Sequence, residues 1–513
     1  MRSTLALLLV VIPSISAAAW PEQVHLAFHG DHSVMAVVWT TFQYDKAEVK
    51  FGEDPNNLIY TATDEGVKKW TSGASVRYSH RAMMRDLKAS TEYCENRLCH
   101  RGRSIMPGHF KFSHENLVQF YLDYQIGVRR FSFKTLGEDP QNYRVCIFGD
   151  LGYFHGNSTA SLIANGLAGK FDFIIHLGDI AYDLHTNNGA TGDNYMNQLE
   201  PLISKVPYMV IAGNHEDDGK NFTDYQERFW MLHNGYRDNQ FYSFDLGPVH
   251  WVGVSTEYYG YYYLYGQEPV MTQYGWLKND LTVANQNRNK TPWIISFQHR
   301  PFYCSNSNSA ECQAFENKLV SPSSLCKCTF ILTIVQCDVK IHSIIQKRQI
   351  RTGWLDMPGL ESLFLQQGMD MGFWGHEHSY ERFYPIADKQ FWNDGCHSAY
   401  AEFSDTPWPF SAARSAFRKE LFPSNRRCSS FSRVNDYGYT ILTIANSTHI
   451  HLEQISIEKS DSVVDEVWIA KDKLHTHSAA LRKTKPGWKF PSMKCHPKNA
   501  ACRLSLQQLN EEL

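Results

Sequence analysis

Five apolar segments of this chain each run directly into a short polar block. Residues 143–148 lead into Gly149-Asp150-Leu151-Gly152, and residues 173–177 into Gly178-Asp179-Ile180-Ala181-Tyr182. Residues 208–212 lead into Gly213-Asn214-His215-Glu216, residues 293–297 into Gln298-His299-Arg300-Pro301, and residues 369–374 into Gly375-His376-Glu377-His378. Short, near-continuous apolar runs bounded by glycine and polar residues read as strands buried on both faces. A sixth such run is 249–255, and helical patterns at 159–167, 196–203, 275–284 and 360–367 fall between several of them. Strands alternating with helices predict a βαβ-built sheet with helices on its faces. Every polar block then falls at the C-terminal end of a strand, where open α/β sheets place their ligands.

The blocks supply Asp150, Asp179, Tyr182, Asn214, His299, His376 and His378 as oxygen and nitrogen donors. Carboxylate, carboxamide, phenol and imidazole suit hard or borderline metal ions, and two such ions can clamp both ends of an in-line displacement at phosphorus. Thiolate is absent from the set, which argues against a structural zinc site. One Gly-Asp after a strand is ordinarily a turn; five blocks in this order, each after an apolar strand, carry the metal reading together. His215, beside Asn214, is the candidate donor of a proton to a leaving alkoxide, and its bland alternative is a histidine satisfied by Glu216 or a nearby carboxylate. The tyrosine-rich run 258–263 is read as packing over the sheet edge and is given no site role.

The 513 residues allow two large domains or about three of ordinary size. From residue 24 to about 134 the pattern is strand-like and helix-poor, with runs at 24–28, 33–39, 47–51 and 130–134 separated by turn signals such as Glu53-Asp54-Pro55-Asn56-Asn57. That predicts a small all-β sandwich ahead of the α/β domain. A hairpin at 437–444 and 449–455, turning at Asn446-Ser447, is expected at a sheet edge. The expected boundaries are 1–19 for a leader, 20–138 for the sandwich, 139–471 for the α/β domain and 472–513 for a polar, basic tail.

The net charge of −3 and the absence of a long Lys/Arg run exclude an electrostatic footprint for nucleic acid. Met1-Arg2-Ser3-Thr4, the apolar run 5–12 and the small residues 14–19 have the form of a secretory signal, too short for a membrane span of ~20 residues. Four Asn-x-Ser/Thr sequons at Asn157, Asn221, Asn289 and Asn446 fit export as a glycoprotein. Twelve cysteines in an exported chain imply disulfides: Cys304 with Cys312, and Cys495 with Cys502, are close enough to close small loops. Cys146, in an apolar strand, reads as a free core thiol.

The ordered blocks resemble the purple acid phosphatases within the calcineurin-like metallophosphoesterases, and Tyr182 separates the two. The resemblance covers most of 21 to about 471 and implies a fibronectin-III-like N-terminal sandwich followed by a metallophosphoesterase domain of mixed sheets. It implies Asp150, Tyr182 and His378 as ligands of Fe(III), with a tyrosinate charge-transfer colour. Asn214, His299 and His376 would hold a divalent ion (iron, zinc or manganese), and Asp179 would bridge. Donor chemistry agrees, since anionic phenolate and carboxylate favour the higher charge while amide and imidazole suit a divalent ion. The implied reaction is acid-phosphatase hydrolysis of a small phosphomonoester by a hydroxide that persists at mildly acidic pH. The enzymatic rival is a phosphodiesterase on the same fold.

Three stretches depart from the resemblance: about 94–121, 321–350 and 415–432 read as insertions between continuous flanking text. The apolar run 328–336 lacks an evident sheet partner, and the strand expected after Trp392 is reduced to Gly395-Cys396-His397. These features are expected to come from unspliced intervening sequence, and the rival of a different class is a non-catalytic product of such a gene.

Overall fold

The computed structural model describes residues 20–45, 48–63, 66–89, 121–127, 129–137, 140, 142–232, 239–304, 350–354, 357–383, 386–387, 390–391, 400–402, 411–412 and 430–471. The N-terminal part is a sandwich of two antiparallel four-stranded sheets. One has the order Glu22–Phe28, Met35–Thr41, Ser75–Met84, Lys68–Ser72; the other has the order Tyr60–Thr63, Glu48–Gly52, Tyr121–Ile126, Arg129–Lys134. Alternation along Glu48–Gly52 sends Val49 and Phe51 inward. Met35–Thr41 is instead buried throughout.

The other face of the first sheet docks on the α/β domain. Val24 N–H donates to Glu200 Oε2 at 3.0 Å and Gln23 N–H to Asn197 Oδ1 at 3.1 Å, both on the helix Ala190–Ile203. Phe28 meets Phe173 edge-on at 5.2 Å.

The α/β domain contains two main sheets rather than one. The larger has the order Tyr208–Val210, Phe173–His176, Tyr143–Phe148, Gly438–Ile444, His449–Ser456, Ser462–Ala470, Tyr400–Glu402, with its first three strands parallel. The smaller has the order Tyr242–Leu246, Val249–Val254, Trp293–Gln298, Met371–Trp374, with its last three parallel. They pack through buried aromatics: Phe173 lies 5.8 Å from Trp251 in an edge contact, and Trp251 Nε1–H donates to the Tyr143 hydroxyl at 3.2 Å. This is the expected fold class, an all-β sandwich followed by an α/β domain of mixed sheets with helices outside.

The hairpin expected at an edge is central. Gly438–Ile444 pairs antiparallel with Tyr143–Phe148, while His449–Ser456 is covered on its far side by Ser462–Ala470. The alternation that suggested an edge arises in His449–Ser456 because only one of its faces is packed, as its burial pattern records. Helix Thr159–Leu167 has the expected bounds; Ala190–Ile203 and Glu268–Gln286 start earlier than the expected 196 and 275.

Most of each presumed insertion (94–120, 321–349, 415–429) lies outside the described residues, as do Gly395-Cys396-His397, Cys312, Cys495, Cys502 and the tail 472–513. Their C-terminal margins belong to the fold. Tyr121 opens the strand Tyr121–Ile126, Ile350 is fully buried, and 430–432 lie in Ser430–Val434, which pairs with Tyr380–Phe383. Cys146 is free and buried as expected, and Cys304 is in a disulfide.

Candidate metal centre

Three blocks leave the parallel strands of the larger sheet and two leave those of the smaller one, so the site forms where the two sets of strand ends meet. The close approach depends on glycine. A Cβ on Gly213 would sit 2.3 Å from Asp179 Oδ1 and 2.8 Å from His299 Cε1, and one on Gly375 would sit 2.7 Å from Asp150 Oδ2. Across the junction, His299 Nδ1–H donates to the Leu177 carbonyl at 2.7 Å, and the His376 N–H donates to Asp150 Oδ2 at 2.9 Å.

All seven expected donors are brought together, and their contacts sort them into two groups. In the first, the Tyr182 hydroxyl lies 2.7 Å from His378 Nε2, which lies 3.4 Å from Asp150 Oδ1. In the second, His299 Nε2 lies 3.0 Å from Asn214 Oδ1 and 3.2 Å from His376 Nδ1. Asp179 Oδ1 lies 3.4 Å from His299 Nε2 and within the field of Asp150.

Local backbone strain accompanies this convergence. Asp150, Asp179, Tyr182 and His376 have φ of 57°, 51°, 54° and 72°. Left-handed backbone at non-glycine residues costs about 1–3 kcal/mol each and persists only where surroundings enforce it. Glu216 is one such enforcer: its fully buried carboxylate accepts the N–H groups of Asp179, Ile180 and Gly213, each at 2.8 Å. Burial pushes Glu216 up to about 7 against the pull of those bonds.

His215 resolves in favour of a carboxylate partner, and the partner is Asp183. His215 Nδ1 and Asp183 Oδ1 are 2.9 Å apart, and the imidazole ring lies 4.4 Å from that of Tyr182. Burial disfavours charge on His215, but the Asp183 hydrogen bond and the charges of Asp179, Asp183 and Glu216 outweigh it and lift the group to about 9. The signal for Asp183 was its position directly after Tyr182. Tyr261 was also missed: its hydroxyl donates to the Asn214 carbonyl at 3.2 Å, giving the tyrosine-rich run a supporting contact to the site. No local pattern marks that contact, because it spans 47 residues.

The donor set fits metal ions. With Nδ1–H committed to Leu177, the His299 Nε2 lone pair faces the oxygens of Asn214 and Asp179, and burial holds the imidazole well below the usual histidine range. Burial, then the charge of Asp150, pushes Asp179 well above the ordinary carboxylate range. Converging lone pairs and crowded carboxylates of this kind are relieved by a cation. Metal–donor bonds of about 2.0–2.2 Å set neighbouring donors about 3.0 Å apart around an octahedral ion and about 3.4 Å apart around a tetrahedral one; the donors here stand 2.7–3.4 Å apart.

Comparison with known proteins agrees with this geometry. Residues 143–380 match the family described as calcineurin-like phosphoesterase, 21–96 match the purple acid phosphatase N-terminal domain, and 411–466 match the iron/zinc purple acid phosphatase-like protein C. The chain is similar to the Homo sapiens protein named acid phosphatase type 7, at 32% identity over 478 residues covering 88% of this chain and 92% of that one. It is similar to Arabidopsis thaliana purple acid phosphatase 21, at 26% identity covering 90% and 87%. Among solved structures it shares the fold of a purple acid phosphatase from yellow lupin (Lupinus luteus) seeds, with a TM-score of 0.62, 21% identity and coverage of 88% and 75%. The chain belongs to the purple acid phosphatase family, whose binuclear metal centre matches the two-group donor set assembled at these strand ends.

Proposed function

We propose that the protein is a secreted acid phosphatase that hydrolyses phosphomonoesters. In this reading Asp150, Tyr182 and His378 hold Fe(III), Asn214, His299 and His376 hold a divalent ion, and Asp179 lies between them. The observation that carries it is the sorting of seven donors from two sheets into two contact groups, with the phenol in one group and the amide in the other. When bound, the ions supply Lewis acidity toward the phosphoryl oxygens and acidify a water for in-line attack at phosphorus.

The chain's own residues supply the rest. Leu177 fixes the His299 tautomer so that Nε2 faces the site. Glu216 holds the Asp179 turn, and His215, oriented by Asp183, is the proton donor to the leaving alkoxide. Export is supported by the leader-like residues 1–19, by the Cys304 disulfide and by the exposure of Asn157, Asn221 and Asn289. Among the described residues no helix is long and apolar enough to cross a membrane.

Turnover of p-nitrophenyl phosphate against bis(p-nitrophenyl) phosphate on metal-analysed protein tests the reading. A higher kcat/KM on the monoester, with near two metals per chain, is expected. Diester preference would make the protein a phosphodiesterase, and absence of turnover with both metals bound would overturn catalysis.

A further inference from the structure

The loop that follows Tyr182 is gripped by the N-terminal sandwich. Tyr182, Asp183, Asn187, Asn188 and Gly189 all have left-handed φ, between 54° and 82°. Glycine adopts this backbone freely and Asn and Asp tolerate it, so the strain centres on Tyr182, whose conformation requires support from its surroundings. Within the loop, the Asp183 carbonyl accepts from Thr186 N–H at 3.1 Å and from Thr186 Oγ1–H at 2.8 Å, while Leu184 O accepts from Gly192 N–H at 3.2 Å. These bonds tie the Asp183 turn to the start of helix Ala190–Ile203.

The outer support comes from the turn joining Lys68–Ser72 to Ser75–Met84. Ala74 N–H donates to Asn188 Oδ1 at 3.0 Å. Arg77, 1% exposed, donates through NH2 to the Asn188 carbonyl at 2.8 Å and to Asp193 Oδ2 at 2.6 Å, and through Nε to Asp193 Oδ1 at 2.9 Å. The surfaces interlock without spare room: a Cβ on Gly189 would lie 2.7 Å from Arg77 NH2, and one on Gly73 2.1 Å from Asn188 Oδ1.

We propose that the N-terminal sandwich is a working part of the metal centre, with Arg77 as a positioning residue that sets the backbone path from Tyr182 to Gly189 and thereby aims the Tyr182 phenol and the Asp183 carboxylate. The inference rests on the proposed function for the role of those two groups. A guanidinium is needed because one planar fork serves a carboxylate and a carbonyl at once; an ammonium at the same place reaches one of them.

The test uses the full metal-loaded chain in four forms: wild type, Arg77→Lys, Asn188→Gly and Arg129→Met. Asn188→Gly removes the side-chain bond to Ala74 while glycine tolerates the left-handed φ, so it serves if Arg77→Lys does not fold. Arg129 bonds Glu200 and the Pro21 carbonyl at the same domain junction, away from the 182–189 loop, so it is the control for a loss of stability alone. Expected results for Arg77→Lys are a shifted or weakened visible band and a kcat lower by on the order of ten- to a hundredfold at nearly constant KM. Asn188→Gly should move the same way by less, and Arg129→Met should lower the melting temperature while keeping band and kcat.

Amide exchange across 183–192, which depends on no metal, should quicken in Arg77→Lys and not in Arg129→Met. Wild-type band, kcat and exchange in both loop variants would overturn the inference. A wild-type protein without metal would overturn the proposed function instead, leaving the exchange comparison to decide the grip.

Discussion

The backbone N–H of Asp179 donates to Glu216 Oε2 at 2.8 Å, so the residue at the centre of the donor set is held in left-handed backbone by a carboxylate from the next block. The same carboxylate takes the Ile180 and Gly213 N–H groups, locking two blocks together before any ion arrives. Glu216→Gln turns an all-acceptor group into one with a donor face aimed at N–H. Above about pH 7, where Glu216 is ionised, hydrogen bonds to a charged acceptor are each worth about 1.5–3 kcal/mol, so the loss expected in denaturant unfolding there is about 3 kcal/mol or more. Metal affinity should fall by roughly 10–100-fold, as for other groups that orient ligands.

Gly213 tests close approach separately from hydrogen bonding. Its φ of −104° suits any residue, so Gly213→Ala adds no backbone strain and only drives Cβ into Asp179 and His299. Circular dichroism should stay close to wild type while metal analysis reports loss of at least one ion. Gly275, within Glu268–Gln286 with nothing near its missing Cβ, is the matched control. Gly275→Ala should keep both ions and stabilise by about 0.5–1 kcal/mol.

Asp183 should set the alkaline side of the activity profile. Its hydrogen bond raises His215 toward about 9 against burial, and the same bond holds Asp183 below the usual carboxylate range. Asp183→Asn removes the raising partner, so the alkaline limb of kcat/KM is expected at lower pH. His215→Ala should lose that limb and about a hundredfold in kcat with slow leaving groups. An unmoved limb in Asp183→Asn would remove His215 from acid catalysis.

Stability should carry a pH signature far from the centre. Burial works against charge on His250, but hydrogen bonds to Asp245 at 2.6 Å and Asp280 at 2.9 Å outweigh it and lift the imidazolium to about 9. A folded pKa raised above the ordinary 6.5 contributes stability fully below about pH 6.5, and that contribution is lost as pH rises through about 9. Allowing for solvent screening at half-exposed Asp245, the change is about 1–2 kcal/mol. Unfolding midpoints between pH 6 and 10 should fall in wild type by this component, which His250→Asn should lack.

The strand ends and their seven donors were legible because each block follows an apolar run, and a buried strand announces itself through Val145, Ile147 or Ile294 and Ile295 without reference to its neighbours. Partition into two sheets was not legible, since nothing in Trp293–Gln298 says that it pairs with Val249–Val254 rather than with Phe173–His176. The hairpin was misplaced to an edge for a related reason: Ser462–Ala470 carries exposed Val463 and Trp468 beside Asp465 and Glu466, so its covering role lies in register rather than composition. Half the sandwich strands went unread because residues such as Lys68, Lys69, Arg77 and Arg81 interrupt their apolar pattern. Three of these, Lys68, Arg77 and Arg81, bond across the domain junction. Glu216 and Tyr261 act through tertiary contacts that no spacing rule anticipates, whereas Asp183 was marked only by its place directly after Tyr182.

Anomalous-scattering crystallography of the metal-loaded protein tests the centre most directly. The account predicts two peaks about 3.5–4 Å apart, one against Asp150, Tyr182 and His378, the other against Asn214, His299 and His376, with Asp179 touching both. A single peak, or two peaks with Asp179 bound to only one, would contradict it.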